Sequence, residues 1–193
     1  MSSGHFSLFG LLEFASHHHE LFGPMEKGSF VYGRKVKDLL KGIPNDRGGW
    51  YLWGRFNDLG WWETIYLGKA GNRKVASLYG RLSSELRNEA IFVWASVYGK
   101  EDTLKQYTKR YKGKFDSDST RSLRKMGAQF VLWVSAEKEI SEDEISRQEK
   151  ILIRIFRPSH NVVRGKHIEP DELTKQVEDQ IERELTIIKG VIY

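Results

Sequence analysis

Apolar and polar positions change period several times along the chain, and each change marks an element. Residues 48–56 and 64–69 are two β-rich runs separated by Asn57-Asp58-Leu59-Gly60, a four-residue turn signal. They predict a hairpin with Tyr51 near the start of its first strand and Tyr66 near the end of its second. Antiparallel pairing brings those two ends side by side, with Lys69 and Arg81 close behind. Leu78, Leu82, Leu86, Ala90, Val93 and Val97 recur every three or four residues and predict a helix over 73–98, although Ile91-Phe92-Val93-Trp94 read alone is also a strand pattern. Residues 129–135 form an apolar run that predicts a third strand.

Ser141 with Glu144 three residues on is a capping box. It opens a helix that buries Ile145, Ile151, Leu152, Ile155 and Phe156 and stops at Pro158. Pro170 and Asp171 lead a last helix with one apolar stripe, Leu173, Val177, Ile181 and Leu185. Such a stripe needs a surface to cover, either its own core or a second subunit. Residues 1–47 carry an apolar cluster (Phe6, Leu8, Phe9, Leu11, Leu12, Phe14) and a short helix with Val36, Leu39 and Leu40 ending at Gly42. The expected fold is therefore α+β, a small three-stranded antiparallel-type sheet flanked by helices. An N-terminal extension (1–47) precedes the main domain (48–162), and a C-terminal helix (163–193) follows it.

Composition narrows the partners. The net charge is +5 with a pI near 9.3, which points toward a polyanion. Residues 99–128 hold nine basic and four acidic side chains, a surplus equal to that of the whole chain. Lys105, Lys109, Arg110, Lys112, Lys114, Arg121, Arg124 and Lys125 of this predicted helical insert are the candidates for phosphate-backbone contact, with Tyr107 and Tyr111 interleaved. A solvated helix pair is the alternative. There is no cysteine, which excludes disulfides, zinc-thiolate sites and thiol catalysis and agrees with a reducing cytoplasm. No run reaches the ~20 apolar residues that span a bilayer. No charged region precedes the apolar patch of residues 1–14, so no signal peptide is expected. His17-His18-His19 invites a metal reading, but adjacent side chains diverge and do not converge on one ion.

Four separated motifs carry a resemblance. Gly49-Trp50-Tyr51 stands where GIY-YIG nucleases have Gly-Ile-Tyr, and Tyr66-Leu67-Gly68-Lys69 where they have Tyr-Ile-Gly-Lys. Arg81 in Tyr79-Gly80-Arg81-Leu82 corresponds to the arginine of the following helix. Glu149, Pro158 and Asn161 keep the spacing of the family's last motif. The chain thus resembles the GIY-YIG family over roughly 48–162. One position departs: four residues after the arginine the family often has His or Tyr, and here Glu85 stands there.

The resemblance implies a divalent-metal-dependent DNA endonuclease. Glu149 would be the metal ligand for Mg²⁺ or Mn²⁺, a single carboxylate suiting one ion that keeps its waters and takes further oxygens from the phosphate. Arg81 would hold the scissile phosphate. Tyr51 would be the general base. A free tyrosine has a pKa of about 10, so poising it near 7 requires roughly 4 kcal/mol, from Lys69, Arg81 and the ion. Tyr66 would orient water or donate to the phosphate. Asn161 would fix the helix end or the Glu149 geometry. Glu85 would be a proton relay, part of the metal's outer shell, or a surface ion pair.

Three readings stay open. One is a restriction-like homodimer in which two single sites cut both strands, with the N-terminal cluster and the last helix as dimer or recognition surfaces. Another is a nicking, structure-specific repair or mobile-element nuclease. The third is a non-catalytic nucleic-acid-binding module.

Overall fold

The computed structural model describes residues 1–17, 28–72, 76–88, 127–161 and 167–192. Among these, strands β1 (Ser2–Ser7), β2 (Gly49–Phe56), β3 (Trp62–Ala70) and β4 (Phe130–Ser135) form one antiparallel sheet in the order β1-β4-β2-β3. Among the described residues five helices flank it: α1 (Phe9–His17), α2 (Gly28–Leu39), α3 (Leu78–Asn88), α4 (Glu142–Phe156) and α5 (Glu172–Ile192). The α+β class holds, but the sheet has four strands rather than three. The added strand is β1, which pairs Ser2 with Ser135 through Ser7 with Phe130. Residues 1–47 therefore supply part of the sheet itself, not only a covering.

Alternation along β2 and β4 divides the core into two layers. Tyr51, Trp53, Val131 and Trp133 point to one face, against Leu8 just before α1, Leu11 of α1, Val36 of α2, and Leu78, Leu82 and Leu86 of α3. Trp50, Leu52, Leu132 and Val134 point to the other, against Ile145 and Leu152 of α4 and Val177, Ile181 and Ile188 of α5. The apolar stripe of α5 thus covers the protein's own sheet, and Ile187, Val191 and Ile192 stay exposed. Phe6, Leu8 and Leu11 of the N-terminal cluster are likewise buried in the core. No described helix is long and apolar enough to cross a membrane.

The ends of α4 follow the sequence. The Ser141 hydroxyl accepts from the Glu144 N–H, and three acidic residues occupy the first turn. At the other end Arg157 adopts the left-handed conformation at φ 45° and donates its N–H to the Ile153 carbonyl. A non-glycine residue there costs about 1–2 kcal/mol. That exceeds the ~0.3–1 kcal/mol a cation gains at a helix C-terminus. α3 ends the described part of the helix expected over 73–98; Val93, Val97 and the whole basic stretch up to residue 126 lie outside the described residues. Of the histidine run, 18 and 19 also lie outside them.

Candidate active site

The hairpin brings the two tyrosines together diagonally. Tyr51 pairs with Gly68 and Trp53 with Tyr66, and the tyrosine rings lie 6.3 Å apart. A register shift between Trp53 and Gly54 leaves Ile65 as the extra residue, so Ile65 and Tyr66, though adjacent, both pack on the α3 side of the sheet. Two glycines make this arrangement sterically possible. A Cβ on Gly68 would lie 2.5 Å from the Tyr51 hydroxyl oxygen and 2.6 Å from its ring carbon Cζ. A Cβ on Gly49, at φ 151°, would lie 2.1 Å from the Val134 carbonyl oxygen. These are the first and last glycines of the paired motifs, and each is required by close approach.

Tyr51 is fully buried. Its hydroxyl donates to Glu85 Oε1 at 2.6 Å, and Arg81 Nε donates to the Tyr51 oxygen at 3.2 Å and to Glu85 Oε1 at 2.8 Å. Arg81 and Glu85 are one turn apart on α3, so helix geometry alone puts them on the same side. Glu85 has no surface in water while Arg81 keeps a third of its own, which rules out a simple surface pair for Glu85. Burial and the neighbouring Glu85 carboxylate push the Tyr51 phenol up, not down toward 7. That is the opposite of the acidified base expected from sequence; the nearest charge to the hydroxyl is an anion. Burial weighs against charge on Arg81, but Tyr51 and Glu85 outweigh it and hold the guanidinium firmly protonated.

β3 is an edge strand, and the cleft opens on that edge. Tyr51, Tyr66, Lys69, Arg81, Ser84 and Glu149 line a space of about 700 Å³, within the usual range for ligand sites. α3 forms one wall and α4 the other. On the α4 wall Lys69 Nζ donates to the Ser146 hydroxyl, which donates in turn to the Glu142 carbonyl. Trp50 Nε1 donates to the Ile145 carbonyl at 3.0 Å and locks α4 to β2. Asn72 accepts from the Gly48 N–H and donates to the Ile140 carbonyl, tying the chain after β3 to the segments before β2 and α4.

Glu149 is held differently. Among the described residues no hydrogen bond or close ion pair engages its carboxylate. Burial pushes its pKa up, and Lys69, Lys150 and Arg81 pull it back without cancelling the effect. A half-buried carboxylate in this state gains from a cation brought to it. The described residues hold no cluster of three or more His, Asp or Glu of the kind that cages an ion alone. The donor set thus suits one hard cation carried by Glu149, water and substrate oxygens.

Asn161 does not line the cleft. Its side chain grips the Leu67 backbone at both ends, Oδ1 accepting from the N–H at 2.9 Å and Nδ2 donating to the carbonyl at 2.8 Å. With the Ser159 and His160 N–H groups donating to the Thr64 and Ile65 carbonyls, it ties the chain after α4 to the outer edge of β3. It thereby anchors to β3 the segment that follows α4, the helix that carries Glu149. Lys105, Lys109, Arg110, Lys112, Lys114, Arg121, Arg124 and Lys125 lie outside the described residues. Sequence reasoning missed Ser146 and Asn72; Ser146 precedes Glu149 by three residues, a same-face spacing that signals it.

No family model matches the chain, and neither a curated protein nor a solved structure matches it.

Proposed function

We propose that the chain is a divalent-metal-dependent endonuclease of GIY-YIG type acting on DNA, with Mg²⁺ or Mn²⁺ at Glu149. The observation that carries this reading is the convergence of Tyr51, Tyr66, Lys69, Arg81 and Glu149, from four segments of the chain, on one cleft. A cation bound at Glu149 would supply Lewis-acid charge to the phosphate and its leaving oxygen. Arg81, permanently charged and partly exposed, would meet the nonbridging oxygens. Tyr66 would orient the attacking water.

The burial of Tyr51 changes how it would serve. A phenol whose pKa is pushed up is a poor stored base. It is a good relay: as water attacks phosphorus, the water proton passes to the Tyr51 oxygen and the Tyr51 proton passes to Glu85 Oε1, 2.6 Å away. The phosphorus–oxygen bond to the leaving group breaks and that oxygen takes a proton from solvent, while the proton on Glu85 returns through the Tyr51 oxygen to water in the cleft, so that Glu85 is again a carboxylate and Tyr51 neutral. Glu85 thereby acts where the family often has His or Tyr. The basic residues of 99–128 would contact the phosphate backbone.

Incubation with supercoiled plasmid and Mg²⁺, with EDTA as control, tests the reading. Discrete linear fragments support a site-specific, restriction-like enzyme, and nicked circles a nicking or structure-specific one. Cutting that survives Glu149→Ala sinks the site assignment. A non-catalytic nucleic-acid-binding module is the second reading, favoured by the complete burial of Tyr51; binding without cutting under every metal condition would select it.

A further inference from the structure

A second cleft lies further along the same edge of the sheet. It holds about 470 Å³ and is lined by Arg55, Trp62, Glu63 and Thr64 from the hairpin and by Arg157 and His160 from the turn after α4, so one carboxylate, itself paired with Arg55, stands among its cations. Where the first cleft takes the C-terminal half of β3, this one takes its beginning, and the turn clamped by Asn161 forms one of its walls. Arg55 is engaged by Glu63, Nε to Oε2 at 3.0 Å. Arg157 is exposed, and among the described residues it makes no ion pair. It also occupies a left-handed backbone position that glycine would take more readily. The left-handed state is held by the backbone bond to Ile153, and an arginine at a position that favours glycine, with its side chain lining the cleft, points to a role for that side chain outside the fold.

We propose that this second cleft, through Arg157 with His160 beside it, binds a backbone phosphate of the nucleic-acid strand whose scissile phosphate occupies the first cleft. The inference rests on the nuclease reading for the identity of the ligand. From Thr64 to Lys69 the strand advances roughly 17 Å at about 3.3 Å per residue. Phosphates wind around the duplex axis as well as rising about 3.4 Å along it, so this span corresponds to only a few nucleotides of one strand. The phosphate held here is therefore a flanking one, and it fixes the direction in which the strand crosses the cleavage site. A contact of this kind adds affinity to every sequence equally.

The test measures affinity for a labelled 24-base-pair DNA duplex by fluorescence anisotropy, in EDTA so that no cutting occurs, across a salt series, for the full chain. Arg157→Gly relaxes the backbone, so it should melt no lower than the wild type while binding about tenfold more weakly. Its slope of log affinity against log salt should be shallower by about one contact, ~0.9. Arg157→Lys should restore most of that slope. If Arg157→Gly binds with unchanged affinity and slope, or if the wild type does not bind the duplex at all, the proposal is overturned. A wild type that binds but does not cut with Mg²⁺ counts against the nuclease reading alone, and the salt slope still decides the second cleft.

Discussion

The two walls of the first cleft are built on opposite principles. The α3 wall is closed: Tyr51, Arg81 and Glu85 are joined at 2.6 to 3.2 Å through the Tyr51 hydroxyl and Glu85 Oε1, with Glu85 entirely out of water. The α4 wall is open: Glu149 stands half-buried with its charge opposed by burial and only partly offset by cations at a distance. A closed network is set before a ligand arrives and loses little freedom on binding. An open carboxylate keeps its lone pairs available to a partner from outside the chain. The difference teaches which residues the fold depends on and which it holds ready for a ligand.

Substitutions should separate the walls. Glu85→Ala is expected to have the largest effect, because it strands a buried hydroxyl and the Arg81 charge together. Stability should drop by about 3 kcal/mol, the low end for a broken buried pair since Arg81 keeps a third of its surface in water. Urea denaturation reads this, and a change under about 1 kcal/mol would mean the network is not closed in solution. Glu149→Gln should do the reverse: cleavage down by on the order of 10³, with the melting temperature equal or higher. Added Mg²⁺ should stabilise the wild type and not this variant.

Smaller effects sharpen the contrast. Tyr51→Phe should lower cleavage by about 10² or more while DNA affinity stays constant, as the relay requires. Gly68→Ala should cost about 1–3 kcal/mol, because the new methyl meets the Tyr51 ring; a variant as stable as the wild type would show that Tyr51 can leave its seat. The smallest effect is on pH dependence. With its folded pKa raised above the ordinary 4.5, Glu149 favours the fold fully below 4.5, and that contribution is lost as pH rises through the folded value. Stability of the wild type should thus decline over that window relative to Glu149→Gln, and equal pH profiles would contradict the burial of this carboxylate.

Where the pattern was strict, the chain could be read directly. The hairpin, the β4 run, the Ser141 cap and the stripe of α5 all carry periodicity or capping chemistry that needs no tertiary partner. β1 could not be read this way. Ser2-Ser3-Gly4-His5-Phe6-Ser7 has neither β-branched residues nor an alternating apolar face, and the open edge of β4 imposes its extended form. At the site, the spacing of Arg81 and Glu85 was visible, but not that Glu85 would be sealed from water beneath Tyr51. That depends on Gly68 letting the ring lie across β3, a fact of packing between segments. The same burial reverses the expected direction of the Tyr51 pKa.

The position of β1 in the sheet has a consequence in time. A ribosome makes this strand before its partner, and Ser2 pairs with Ser135. At roughly 5–20 residues per second, β1 waits about 6–26 s for β4 to be synthesised. The hairpin of β2 and β3 can close in microseconds once it emerges. The tyrosine pair is thus assembled early, from neighbours in the chain, while the strand at the far edge of the sheet stays without its partner until most of the protein exists.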